Sequence, residues 1–191
     1  MRRSALVLGL LLSLAALPAF APEVSAAVAA NFTKPAEELG AAFTARTGDS
    51  VVFSFGATGG LYTQIIQGAP FEVFLAADNK RPSLALSEGL GVAGTVFTYA
   101  VGRLALYSPT LDLTDGPAVL TAGDFQHIAI ADPATAPYGA AAVETIEKLG
   151  LSAALEPKKV TGENISQTLQ FIESGNAELG FVALSQVAGK P

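Results

Sequence analysis

Four short turns combine small, polar and glycine residues immediately before helical patterns: Ala29-Ala30-Asn31-Phe32, Gly56-Ala57-Thr58-Gly59-Gly60, Ala136-Pro137-Tyr138-Gly139 and Thr161-Gly162-Glu163-Asn164-Ile165. The first turn of a helix leaves backbone N–H groups without intrahelical partners, and the helix dipole adds partial positive charge there. Such ends receive anions. Glycine lets a backbone approach closely, and a Thr or Asn side chain adds a donor. None of the four turns contains a basic residue. An anion held by them would therefore be held by oriented dipoles and neutral donors. Asn31, Thr58 and Asn164 are also ordinary N-cap residue types, and capping is the commoner role for any one of them taken singly.

Other chemistry is poorly supplied. The turn at Gly56–Gly60 is not a P-loop, because no Lys-Ser/Thr follows it, and no dinucleotide fingerprint occurs. The absence of cysteine removes thiolate metal sites, disulfides and cysteine nucleophiles. The lone His127 rules out a multi-histidine metal site and has no G-x-S-x-G partner, so it reads as a structural or surface residue rather than a catalytic base. Asp78 and Asp132 end apolar runs and read as turn or cap residues before acids. Lys158-Lys159 reads as solvated surface.

The elements that would carry these turns alternate between strand and helix. Strand patterns cover 27–30, 50–55, 73–77, 98–108, 128–131 and 179–184, with a short candidate at Val160. Helical patterns cover 34–47, 61–67, 82–88, 140–149 and 164–174, several of them stopped by a glycine such as Gly48, Gly150 or Gly175. The alternation implies an α/β protein with mostly parallel sheets and helices on their faces. In such sheets ligands bind beyond the carboxyl ends of the strands, where the four turns lie. The pattern stops a few residues past a strand, with no closing helix.

Half of the 191 residues are hydrophobic and only 15% are charged, which excludes a disordered chain. The formal charge of −6 is a poor match for nucleic acid or an anionic membrane. Arg2-Arg3, an uncharged Leu/Ala-rich run and Val24-Ser25-Ala26 have the layout of a secretory leader spanning 1–26, cleaved near Ala26. The expectation is an exported, periplasmic protein.

Taken in order, these segments resemble the periplasmic molybdate-binding proteins of ABC importers. The resemblance covers Ala27 to Val187 and rests on Ala-Val-Ala-Ala-Asn-Phe at 27–32 and Ser-Phe-Gly-Ala-Thr-Gly-Gly-Leu-Tyr at 54–62. It continues through Gly68-Ala69-Pro70-Phe71-Glu72-Val73, Ala76-Ala77-Asp78, Ala136-Pro137-Tyr138-Gly139, Gly162-Glu163-Asn164-Ile165 and Gly180-Phe181-Val182-Ala183-Leu184-Ser185-Gln186. It implies a two-lobed type II periplasmic binding protein fold, with lobe 1 at 27–101 and lobe 2 at 102–191. It also implies that the C-terminal part, which returns to lobe 1 in the family, is missing.

By the same resemblance the ligand residues are Ala30, Asn31, Thr58, Tyr138 and Ile165, the last through its backbone N–H. Some family members use a tyrosine in the last strand. Here that place reads Val182-Ala183-Leu184, so Tyr138 takes over the hydroxyl. The implied ligand is molybdate, with tungstate equivalent. Molybdenum enters only as the oxyanion, through Asn31, Thr58, Tyr138 and Ile165. No catalysis, no cofactor and no nucleic acid are implied, and the partner is the membrane permease, served by a monomer.

A donor-only cleft suits an unprotonated dianion and disfavours hydrogen phosphate, whose proton needs an acceptor. Sulfate carries the same charge, so cleft size must exclude it. The alternatives are a binding protein for sulfate, phosphate or another oxyanion, an exported hydrolase, and a sensor domain feeding a membrane receptor.

Overall fold

The computed structural model describes residues 23–190, which fold as two α/β lobes. Lobe 1 holds three parallel strands in the order β2-β1-β3, with β1 at Glu23–Ala29, β2 at Ser50–Gly56 and β3 at Val73–Leu75. Its helices are α1 (Thr33–Thr47), α2 (Thr58–Ile66) and α3 (Lys80–Ser87). Lobe 2 holds β4 (Leu104–Tyr107), β5 (Ile128–Ala131), β6 (Lys159–Gly162) and β7 (Leu179–Ala183) in the order β4-β7-β5-β6. β5 runs parallel to β6 and β7, and β4 runs antiparallel to β7. Its helices are α4 (Gly116–Ala122), α5 (Pro137–Lys148), α6 (Ser152–Leu155), α7 (Ile165–Glu173) and α8 (Leu184–Val187).

The mostly parallel α/β architecture expected from the alternation is therefore present, and several boundaries move. β1 begins at Glu23, not Ala27, because Glu23–Ala26 pair in register with Ser50–Phe53 of β2. The expected leader lies outside the described residues except for these four, and a cut after Ala26 would remove them from the strand. The β-rich stretch 98–108 yields only β4. Residues 98–103 instead run between the lobes without regular structure, fixed where the Tyr99 hydroxyl donates to Ala76 O at 2.9 Å and its ring packs edge-on against Phe32. α2 starts three residues before the expected position and takes Thr58, Gly59 and Gly60 into its first turn. The short α8 follows β7 directly, where the sequence pattern showed no helix. α4 and α6 were also not read from the sequence. α4 carries an Asp115 cap, accepting from Ala118 N, and a left-handed Gly123 stop.

The two cores differ. Lobe 2 packs Leu120, Phe125, Ile128, Ile130, Leu155 and Leu179 between its sheet and helices. Lobe 1 has a smaller cluster around Ala26, Val28 and Ala36. Beside it an apolar groove between α1 and the sheet is lined by Leu39, Phe43, Phe53 and Val73.

Candidate anion site between the lobes

The carboxyl ends of β1 and β2 in lobe 1 and of β5, β6 and β7 in lobe 2 face one another across a cleft. Ala30, Ala57 and Ala77 of lobe 1 pack with Ala131, Ala136, Tyr138, Ile165 and Ala183 of lobe 2. Two backbone carbonyls of the first turn accept from lobe 2 as well: Ser166 Oγ donates to Ala30 O at 3.1 Å and Ser185 Oγ to Asn31 O at 3.4 Å. The lobes are shut on each other. Small side chains permit this approach, since alanine at these positions keeps the backbones within reach.

Between the lobes lies a small cavity of about 10 Å³, open at its mouth. The structure brings Ala30, Asn31, Thr58, Tyr138 and Ile165, the five residues expected from the sequence, to the walls of this one cavity. Among the described residues, none that lines it is charged. All four turns contribute, two from each lobe.

Thr58 opens α2 and is 1% exposed. The cap position belongs to Ala57, so the capping role considered for Thr58 does not apply. Instead the Thr58 hydroxyl oxygen accepts from Ala77 N at 3.0 Å, which leaves its O–H to donate elsewhere. Ala77 was carried in the sequence only as part of the Ala76-Ala77-Asp78 motif, and its backbone role appears only when β3 is set beside β1.

Asn31 sits in a single 3-10 turn, Ala30–Phe32, and does not cap α1, whose cap residue is Phe32. Its Oδ1 is the one buried side-chain polar atom without a hydrogen-bond partner among the described residues. A buried group left so costs about 1–3 kcal/mol. Turning the amide over exchanges Oδ1 and Nδ2 and presents a donor at the same place. Asn164 is different. Its side chain caps α7, accepting from Ser166 N and Gln167 N at 3.0 and 3.1 Å, so the structural role holds there. Those two bonds and Thr168 N, which donates to Asn164 O, use the rest of the first turn, and the Ile165 N–H has no acceptor among the described residues.

Tyr138 is buried in the first turn of α5, and burial pushes its hydroxyl above the usual tyrosine range. It therefore remains a neutral donor. Gly139 beside it must be glycine because any Cβ there would run into the backbone of Ala131 at the end of β5. Gly102, in the segment between the lobes, abuts the Tyr138 hydroxyl with no room for a Cβ.

The remaining candidates lie elsewhere or are occupied. His127 is exposed at the amino end of β5, opposite to the cleft, with its backbone N–H on Glu178 Oε2. Asp78 accepts from Arg81 N and pairs with the Arg81 guanidinium. Asp132 accepts from Ala134 N and Thr135 Oγ1 and so shapes the turn before α5. Lys158 is not free surface as expected. Its ammonium donates to Gly123 O and Phe125 O and lies over the Phe125 ring.

The family model described as bacterial extracellular solute-binding protein matches residues 24–191. The chain is 56% identical over 190 residues to the molybdate-binding protein of Rhodobacter capsulatus, covering 100% of this chain and 75% of that protein. It is 54% identical over 185 residues to the molybdate-binding protein of Azotobacter vinelandii, covering 96% and 73%. A solved periplasmic molybdate-binding protein of Azotobacter vinelandii superposes with a TM-score of 0.81 at 39% identity, over 85% of this chain and 72% of that one. The two lobes are thus those of a type II periplasmic binding protein. The chain belongs to the bacterial extracellular solute-binding protein family, alongside the molybdate-binding proteins of these two bacteria.

Proposed function

We propose that the protein captures molybdate, and tungstate equally, between its lobes and presents it to the permease of an ABC importer as a periplasmic monomer. The observation that carries this reading is the uncharged cavity in which Thr58 Oγ1 already accepts from Ala77 N, which leaves its O–H to donate. Asn31, Tyr138 and the Ile165 N–H complete a set drawn from both lobes. A dianion without a proton satisfies every one of them. Hydrogen phosphate would set its own proton against a donor. The names of the relatives support the choice of molybdate. The acidic net charge is no obstacle, because exposed charges beyond about 8–10 Å are largely screened.

Export by the N-terminal leader belongs to this reading, with processing upstream of Glu23, since β1 needs Glu23–Ala26 for its pairing with β2. Calorimetric titration with molybdate, tungstate, sulfate and phosphate tests the ligand. One-to-one binding of molybdate and tungstate, with sulfate and phosphate at least about tenfold weaker, is expected. Sulfate binding as tightly as molybdate would remove the size argument.

A further inference from the structure

We propose that Arg81 is a latch residue that sets how long the bound anion is held, although it does not touch the cavity. The inference rests on the anion-binding reading above and adds a determinant outside the cavity wall.

Arg81 lies in the first turn of α3 in lobe 1. Its guanidinium is fixed by Asp78: Nη1 donates to Asp78 Oδ2 at 2.5 Å, while Arg81 N donates to Asp78 Oδ1 at 2.9 Å. Both side chains are about four-fifths covered, at 20% and 18% exposure. Held in this way, the other end of the fork crosses the cleft, and Nη2 donates to Ala134 O of lobe 2 at 3.1 Å. The receiving turn is itself rigid, because Asp132 accepts from Ala134 N and Thr135 Oγ1. One residue further on, Gly59 N donates to Thr135 O at 2.8 Å, again across the cleft. A Cβ at Gly59 would stand 3.0 Å from the Thr135 backbone and 3.1 Å from Arg81 Nη2. Arg81, Gly59, Ala134 and Thr135 thus form one compact seam.

The seam ties two of the anion turns together. Gly59 follows Thr58, and Thr135 stands three residues before Tyr138. Its two hydrogen bonds, Arg81 Nη2 to Ala134 O and Gly59 N to Thr135 O, both cross between the lobes, so parting the lobes breaks them. Bonds made only in the closed state shift the population toward that state, and they must break before the ligand can leave. A planar fork suits the task, since one nitrogen is spent on Asp78 while the other still reaches the carbonyl. A lysine presents its three donors from one nitrogen and lacks the two-nitrogen spread of the fork.

The test uses the full chain and radiolabelled molybdate chased with unlabelled molybdate, giving dissociation rates for wild type, Arg81→Ala and Arg81→Lys. Loss of one charge-assisted hydrogen bond predicts dissociation about tenfold faster in both variants, with association changed less than about twofold. The affinity ratio of molybdate to tungstate stays as in wild type. The melting temperature of the unliganded protein also stays near wild type, a split that a merely structural role would not produce. If Arg81→Ala lowers that melting temperature, Gly59→Ala, which pushes on the same seam from the other side, must still speed dissociation. Dissociation unchanged in Arg81→Ala while wild type binds molybdate overturns the latch, as does Arg81→Lys behaving like wild type. Failure of wild type to bind molybdate would overturn the ligand reading itself, a result distinct from both.

Discussion

Thr58 shows how a common residue becomes a directed donor. A threonine at a helix start ordinarily caps it, yet here the hydroxyl oxygen is claimed by Ala77 N from the neighbouring strand connection. With that bond accepted, the O–H is left to donate. Thr58→Ala removes the donor and also strands the Ala77 N–H. We expect it to weaken molybdate binding by about 1.5–3 kcal/mol, the range for hydrogen bonds to charged groups, measured by calorimetry. Tyr138 gives a pH prediction. Burial raises the Tyr138 hydroxyl, and burial followed by the nearby Tyr138 raises that of Tyr99, both from a usual value of 10.0. A group raised on folding contributes stability that is whole below its unfolded value and is lost as pH climbs through the folded one. Both affinity and melting temperature should therefore show no tyrosine-linked loss between about pH 7 and about pH 9, and fall above about pH 10. A tyrosine-linked drop in affinity near neutral pH would contradict the neutral-donor role.

At the scale of elements, the sequence was most legible where a local rule governs. Gly48 and Gly175 stop helices with φ of 84° and 76°, as their positions after apolar periods implied. The strand at 128–131 was read to the residue, because four consecutive apolar residues bounded by polar ones leave little choice. Length misled at 98–108, where β-rich composition served a connection rather than a strand. Read as a processing site, Val24-Ser25-Ala26 starts the strand at Ala27, and only the pairing with β2 shows that these residues extend it. The four turns that line the cavity are visible in the sequence because small residues before a helix have a local signature. The partners that orient them were not. Ala77 against Thr58, Gly102 against Tyr138 and Arg81 against Ala134 are separated by 19, 36 and 53 residues. The unequal cores carry a prediction of their own. In lobe 1 Leu39 and Val73 are exposed beside an open apolar groove, whereas β5 and β7 of lobe 2 are fully buried. Local opening follows buried contacts. Amide hydrogen exchange should therefore be faster in β2 and α1 than in β5 and β7, and the reverse order would refute this account of the cores.

For the whole molecule, the two lobes matter more than either one. Lobe 1 supplies Ala30, Asn31 and Thr58, and lobe 2 supplies Tyr138 and Ile165. Neither half alone encloses the cavity. The absence of cysteine and the single exposed histidine, which first argued only against catalysis, also fit a site that works without titrating groups. The most direct measurement is a tungstate co-crystal of the full chain, with the metal located by its anomalous signal. The account predicts one strong peak in the cleft, with oxygens within hydrogen-bond reach of Thr58 Oγ1, the Asn31 amide, the Tyr138 hydroxyl and the Ile165 N–H. A peak bound by one lobe only, or beside lysine or arginine side chains, would contradict it.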